Sequence, residues 1–133
     1  VKLHRREMGR PFGLPSSPSP NLRIRLLETD DMGPRELVVG SDLVVGMNSM
    51  MLMEACLLKQ PVVSYQPGLR IDDPLPSNKF GWSSAVYRRE ALDDALVAEL
   101  FSSLGGDSRK RIQARVPTMS GATDRVVELL MAS

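Results

Sequence analysis

The sequence predicts an α/β domain in which helices cover both faces of a small parallel β-sheet. From residue 22 onward, short apolar or alternating runs bounded by turn residues are followed by longer helical segments. One run, residues 43–45, is apolar throughout, as strands covered on both faces are. We therefore expect a three-layer fold with at least four parallel strands and with residues 43–45 at the centre of the sheet.

Length and composition indicate one ordinary globular domain spanning residues 1–133. Hydrophobic residues make up 42% of the chain and charged residues 25%, close to the averages for such domains. The net charge of +1 argues against bulk electrostatic binding of nucleic acid. No apolar run reaches the ~20 residues that cross a bilayer, so no transmembrane segment is expected. The single cysteine, Cys56, cannot form an internal disulfide, which favours a reducing, cytoplasmic location.

The first half of the chain contains two predicted strands and two predicted helices. Residues 22–26 alternate Leu and Ile with Arg, which predicts a strand with one buried face. Pro34 to Val39 is predicted as a short helix that Gly40 ends. After the strand at residues 43–45, residues 50–58 are apolar on every side except at Glu54, which predicts a helix packed on both sides.

Further elements follow in the second half. Pro61 leads into a predicted strand at 62–65, which is followed by a long proline-containing loop at 66–84. The remaining predictions are a short edge strand at 85–87, an amphipathic helix at 90–104, and helices at 108–116 and 121–131. Residues 1–3 have the character of the end of a strand, and residues 9–20 of a Pro/Ser-rich loop. Together these elements indicate a Rossmann-like fold.

Ligands of open parallel sheets bind beyond the carboxyl ends of the strands. Three segments are expected to meet there: residues 4–7, 46–49 and 65–68. In the middle segment Asn48 or Ser49 can cap the following helix, whose free amides and dipole favour a phosphate. The alternative is a plain helix cap with no ligand.

Glu54 and the pair His4 and Arg5 are further candidates for ligand binding. Glu54 is the only charge on its helix, and a buried unpaired carboxylate is expensive, so it must reach a partner, solvent or a ligand. Ser49 lies about one turn earlier, so the two side chains would flank one pocket. His4 and Arg5 form either a cationic cluster for a phosphate or sugar, or a solvated turn. With one histidine and one cysteine, no zinc or other metal site is expected.

Three stretches carry a resemblance to a known superfamily: SDLVVGMNS at residues 41–49, LMEA at 52–55 and QPVVS at 60–64. In this order and spacing they resemble the donor-binding half of a GT-B-type fold, which nucleotide-sugar glycosyltransferases and UDP-N-acetylglucosamine 2-epimerase share. HRRE at residues 4–7 is similar to the start of the epimerases' C-terminal domain, and to a related stretch in surface-polysaccharide biosynthesis enzymes. The resemblance covers most of the chain.

The resemblance implies a role for each candidate residue. The turn at Asn48 and Ser49 would hold the diphosphate, and Glu54 would accept hydrogen bonds from the ribose hydroxyls. His4 would face the phosphate or sugar as the candidate catalytic residue. The other nucleotide-sugar-binding candidates are Arg5, Gly46, Met50 and Gln66. No cofactor is implied, since a UDP-sugar would be the substrate.

Two departures from the family pattern bear on the function. Met50 and Met51 stand where glycines usually follow the phosphate-binding serine. The N-terminal acceptor domain that completes a GT-B cleft is missing from this sequence. We therefore expect a nucleotide-sugar-binding domain of a glycosyltransferase or epimerase that is inactive without this partner domain. The alternative is a non-catalytic interaction module that keeps the half-fold without the ligand. The sequence is also compatible with a homo-oligomer.

Overall fold

A computed structural model of the chain describes residues 19–27, 32–104 and 114. The chain divides into two compact units, Val1–Ser41 and Asp42–Ser133. The predicted strand end at residues 1–3, the candidates His4 and Arg5, and the helix at 121–131 lie outside the described residues. So does the helix predicted at 108–116, apart from residue 114, which is helical.

In the first unit, helix α1 spans Pro34–Val39, as predicted. Pro34 suits the first turn because its ring presets the helical φ and its missing N–H would have no helical partner. Gly40 ends the helix, and its amide donates to the carbonyl of Glu36 at 3.0 Å. Ser41 Oγ also donates to the carbonyl of Leu37. The end of α1 therefore follows from local sequence signals alone.

The prediction of a strand at residues 22–26 is wrong. These residues form no regular strand, and only Leu27 takes part in an isolated β-bridge. Leu22, on the face predicted to be buried, is largely exposed. An alternating pattern becomes a strand only when a neighbouring strand bonds its backbone along its length. No such ladder forms along residues 22–26.

The second unit is built on a small parallel sheet, as predicted, although the described residues contain three strands where at least four were expected. Its strands are β1 (Val44–Gly46), β2 (Val62–Tyr65) and β3 (Ser84–Val86). They lie in the order β1-β2-β3, and both pairs are parallel. The three carboxyl ends therefore lie along one edge of the sheet.

Among the three described strands the central one is β2, so the prediction that residues 43–45 form the central strand is wrong for this part of the chain. The first three residues of β2 are buried, whereas Val45 in β1 is 50% exposed. Apolar character shows that a strand can be covered on both faces, but pairing decides where it lies. Ser64, although polar, is fully buried in β2, as Val63 is.

Helix α2 spans Met50–Leu57, close to the predicted range. It buries Leu52, Ala55 and Cys56, whereas Met50 is 65% exposed. The prediction that this helix is packed on both sides is therefore wrong for the described residues. Cys56 is fully buried, as a small apolar side chain would be. A Cβ on Gly46 would lie 3.0 Å from Leu52 Cδ2, so β1 and α2 pack closely at this glycine.

The long predicted loop contains a short helix that the sequence did not indicate, α3 at Pro76–Lys79. The predicted edge strand is β3, displaced by one residue. A 3₁₀ turn at Arg89–Ala91 leads into helix α4, Leu92–Leu104, which confirms the helix predicted at 90–104. In the described ranges no helix is long and apolar enough to cross a membrane.

Candidate functional site

The turn after β1 lies at the carboxyl edge of the sheet and leads directly into α2. Ser49 is the N-cap: its backbone is extended, and its Oγ accepts a hydrogen bond from the amide of Met51 at 3.3 Å. The side chain of Asn48 is exposed. Of the two predicted capping residues, Ser49 therefore performs this role.

A buried serine ties this turn to the central strand. Ser64 Oγ donates to the carbonyl of Met47 at 2.9 Å. The same oxygen accepts hydrogen bonds from Gln66 Nε2 at 3.2 Å and from Asn78 Nδ2 at 3.0 Å. A hydroxyl has one proton and two lone pairs, so these three bonds use its full capacity.

Asp73, in the loop between β2 and α3, collects a second set of donors. Its Oδ2 accepts from Gln66 Nε2 at 2.9 Å, from Asn78 Nδ2 at 2.7 Å and from the hydroxyl of Tyr87 at 2.7 Å. Its Oδ1 accepts from the amide of Leu75 at 2.8 Å. We refer to Ser64, Gln66, Asp73, Asn78 and Tyr87 as the Asp73 cluster.

The hydrogen bonds keep Asp73 charged. Partial burial raises the pKa of its carboxyl, but the bonds from Asn78, Leu75, Tyr87 and Gln66 outweigh burial and lower that pKa to about 2. The pKa of Tyr87 is raised, first because its hydroxyl donates to Asp73 and then because of burial and the nearby charge. Near neutral pH the cluster therefore contains an ionised Asp73 and a protonated Tyr87.

This charge state determines how the amides are oriented. An ionised carboxylate only accepts hydrogen bonds, so Gln66 and Asn78 must turn their NH₂ groups toward Asp73. The carbonyl oxygen of Asn78 then accepts from Ser83 Oγ. No buried side-chain nitrogen or oxygen in the described part of the chain lacks a hydrogen-bond partner. Every side-chain donor of the cluster is therefore used within the protein.

The structure brings several of the predicted site residues to this edge. Gly46, Asn48, Ser49 and Met50 form one continuous turn, and the buried Gln66 is linked to it through Ser64 and the carbonyl of Met47. The sequence predicts that the segment after β1 and the segment after β2 meet at this edge, and these hydrogen bonds join the two. His4 and Arg5 lie outside the described residues.

Glu54 lies on α2 with its side chain exposed. Of the alternatives that the sequence left open, a buried charge with a buried partner is excluded. The side chain reaches solvent, where it remains available to a ligand. Its place on α2 follows from the sequence pattern.

Sequence reasoning missed Asp73, Asn78 and Tyr87. Asn78 was assigned to a loop, and Asp73 lies between other loop residues without a motif. A signal did exist for Tyr87, because it directly follows β3 as Gln66 directly follows β2. Parallel strands place such residues at the same edge of a sheet.

Other reactive groups do not add to the site. Among the described residues no group of three or more His, Cys, Asp or Glu side chains is arranged to hold a metal ion. Burial raises the pKa of the Cys56 thiol to about 12, against a smaller opposing effect of its hydrogen bond with Ser77. Cys56 is therefore a protonated core residue and not a nucleophile.

Comparisons of this chain with protein-family models, with curated proteins and with solved structures give no match. The resemblance to GT-B enzymes therefore rests on the sequence stretches themselves.

Proposed function

We propose that this chain is the nucleotide-sugar-binding domain of a GT-B-type glycosyltransferase or sugar epimerase, with a UDP-sugar as its ligand. The observation that supports this most is the turn from Gly46 to Met50, which joins a parallel strand to a Ser49-capped helix of eight residues. Turns of this kind, at the carboxyl edge of a sheet, bind phosphate in α/β proteins.

The amides of this turn support the proposal further. Ser49 uses its side chain for the amide of Met51 and its carbonyl for that of Leu52. Among the described residues no hydrogen-bond partner is present for the amides of Asn48, Ser49 and Met50. Three unpaired N–H groups at the positive end of a helix dipole suit a diphosphate.

The remaining assignments follow the family resemblance. Glu54, exposed on α2, would accept hydrogen bonds from the ribose hydroxyls. The resemblance also assigns His4 and Arg5 to ligand binding. A GT-B active-site cleft is formed by two domains, so we expect this domain by itself to bind the ligand without catalysing its conversion. We propose the cytoplasm as its setting, since the one cysteine, Cys56, is unpaired and buried.

The test is titration of the protein with UDP, by calorimetry and by amide NMR. Half a cleft leaves the ligand partly hydrated, so we expect an affinity on the order of millimolar, about −4 kcal/mol. The amide resonances of Asn48, Ser49 and Met50 should shift with UDP and not with uridine, which lacks the phosphates. If UDP at several times the expected dissociation constant produces no heat and leaves the amide resonances of Asn48, Ser49 and Met50 unshifted, the proposal is overturned.

One observation favours the alternative, a protein-interaction module without a nucleotide ligand. Met47 is 61% exposed and Met50 is 65% exposed, so two flexible apolar side chains flank the turn. Exposed methionines are frequent on surfaces that bind varied protein partners. If the protein is folded and UDP leaves the amide resonances of the turn unshifted, this alternative is favoured.

A further inference from the structure

The Asp73 cluster leaves specific atoms without a partner, beginning with the carbonyl oxygen of Gln66. Both protons of Gln66 Nε2 are used, one toward Ser64 Oγ and one toward Asp73 Oδ2. No described residue bonds its Oε1. Since no buried side-chain oxygen in the described ranges is unsatisfied, Oε1 must reach solvent. The amide is held by two hydrogen bonds, and Gln66 as a whole is 5% exposed.

Tyr87 presents a second acceptor. Its only proton is donated to Asp73 Oδ2 at 2.7 Å, and the residue is 42% exposed. No described residue donates to the lone pairs of its hydroxyl oxygen, and the residue lies at the surface. Gln66 Nε2 and the Tyr87 hydroxyl oxygen donate to the same oxygen of Asp73, so Asp73 holds the amide that carries Oε1 and the hydroxyl next to each other.

No donor of the cluster remains for a ligand. The Ser64 proton goes to the carbonyl of Met47, and both Nδ2 protons of Asn78 go to Ser64 and Asp73. A patch that offers acceptors around an ionised carboxylate repels phosphate and attracts O–H or N–H groups. This chemistry is the opposite of that in the turn at residues 48–50, where unpaired amides are donors.

We propose that Gln66 Oε1 and the Tyr87 hydroxyl oxygen form a subsite for ligand hydroxyl groups, and that Asp73 is a positioning residue that orients both. The inference rests on the proposed function and extends it: the turn takes the phosphates, and the acceptor pair takes hydroxyls of the ribose or of the attached sugar. The two regions are physically connected, since Ser64 Oγ bonds both Gln66 and the carbonyl of Met47, the residue before Asn48.

The first test replaces Tyr87 by phenylalanine and measures affinity for UDP and for UDP-glucose by calorimetry. Loss of one neutral hydrogen bond should weaken binding about threefold to tenfold. The matched control is Tyr65→Phe, because Tyr65 alternates with Ser64 and Gln66 in β2 and so projects to the opposite face. An equal loss for both ligands assigns the subsite to the ribose, and a loss only for UDP-glucose assigns it to the sugar.

The second test concerns Asp73. If Asp73 acts by orienting Tyr87, then Asp73→Asn should weaken binding less in the Tyr87→Phe background than in the wild type. Fully additive losses would overturn the positioning role. A measurement without any substitution supports or opposes the same claim: the side-chain NH₂ resonances of Gln66 in the wild type should shift when ligand is added, and unshifted resonances in the bound protein would contradict the subsite.

The outcomes separate this inference from the proposed function. A wild-type protein that binds neither UDP nor UDP-glucose overturns the proposed function, and the subsite with it. A wild-type protein that binds, with Tyr87→Phe binding equally well, overturns the subsite alone.

Discussion

Gln66 and Asn78 present their side-chain amides to the same two oxygen atoms, Ser64 Oγ and Asp73 Oδ2. One amide follows the central strand, and the other lies on helix α3. The two bridges therefore fasten the loop that carries Asp73, and the helix after it, to the carboxyl edge of the sheet. A loop anchored in this way can present fixed groups to a ligand at low entropic cost.

The charge of Asp73 should make part of the stability depend on pH. Its pKa is about 2 in the folded protein, below the value of about 4 expected for an unfolded aspartate. The contribution of the carboxylate is then complete above about pH 4 and is lost as the pH falls toward 2. Urea unfolding should show wild type more stable than Asp73→Asn at pH 7, with the difference shrinking at low pH. A difference that stays constant over this range would contradict the assignment.

Gly46→Ala should destabilise the protein by about 1–3 kcal/mol, because a methyl group would be forced against a well-packed core. The new Cβ would lie 3.0 Å from Leu52 Cδ2, so the Leu52 side chain would have to shift, and its almost complete burial opposes that shift. Chemical denaturation measures the change. In a Leu52→Ala background the glycine substitution should be much less harmful, and equal penalties in both backgrounds would show that the two residues do not conflict.

Ser49→Ala removes the helix cap and should lower the free energy of unfolding by about 1 kcal/mol. The bond from the amide of Met51 is lost, whereas the free amides of the turn remain. The effect on UDP affinity should therefore be smaller than the effect on stability. Ser49→Thr, which keeps the hydroxyl, is the control and should restore most of the stability. A threonine variant as unstable as the alanine one would argue against capping.

Glu54→Gln should leave stability within about 0.5 kcal/mol of wild type, because the side chain is exposed. If Glu54 accepts ribose hydroxyls as proposed, the same change should weaken UDP binding about tenfold or more, since hydrogen bonds to charged groups are the stronger ones. Stability and affinity are to be measured on one sample. Unchanged affinity in a protein that binds UDP would remove Glu54 from the site.

Features with local signals were predictable from the sequence. Proline in the first turn and glycine after the last residue define α1 at Pro34–Val39. A capping Ser49 before an apolar run defines the start of α2, and Pro61 followed by β-branched residues defines β2. Each of these signals acts through hydrogen bonds or dihedral preferences within a few residues, so no knowledge of the rest of the chain is needed.

Part of the candidate site was predictable in the same way. The turn from Gly46 to Met50 and the position of Gln66 follow from where strands end. The hydrogen bonds between them do not, because Ser64 reaches the carbonyl of Met47 across two paired strands. The sequence pattern indicates which residues lie at the edge, and only the pairing shows which of them touch.

Tertiary structure alone decided the strand order and the composition of the Asp73 cluster. The alternation at residues 22–26 predicted a strand that lacks a ladder, and the apolar run of β1 lies at an edge of the three described strands. Asp73 and Tyr87 are separated by fourteen residues in the chain, yet their side chains bond at 2.7 Å. Such contacts depend on which backbones pair and on how the loop between them closes, and these are properties of the whole packed unit rather than of any local stretch of sequence.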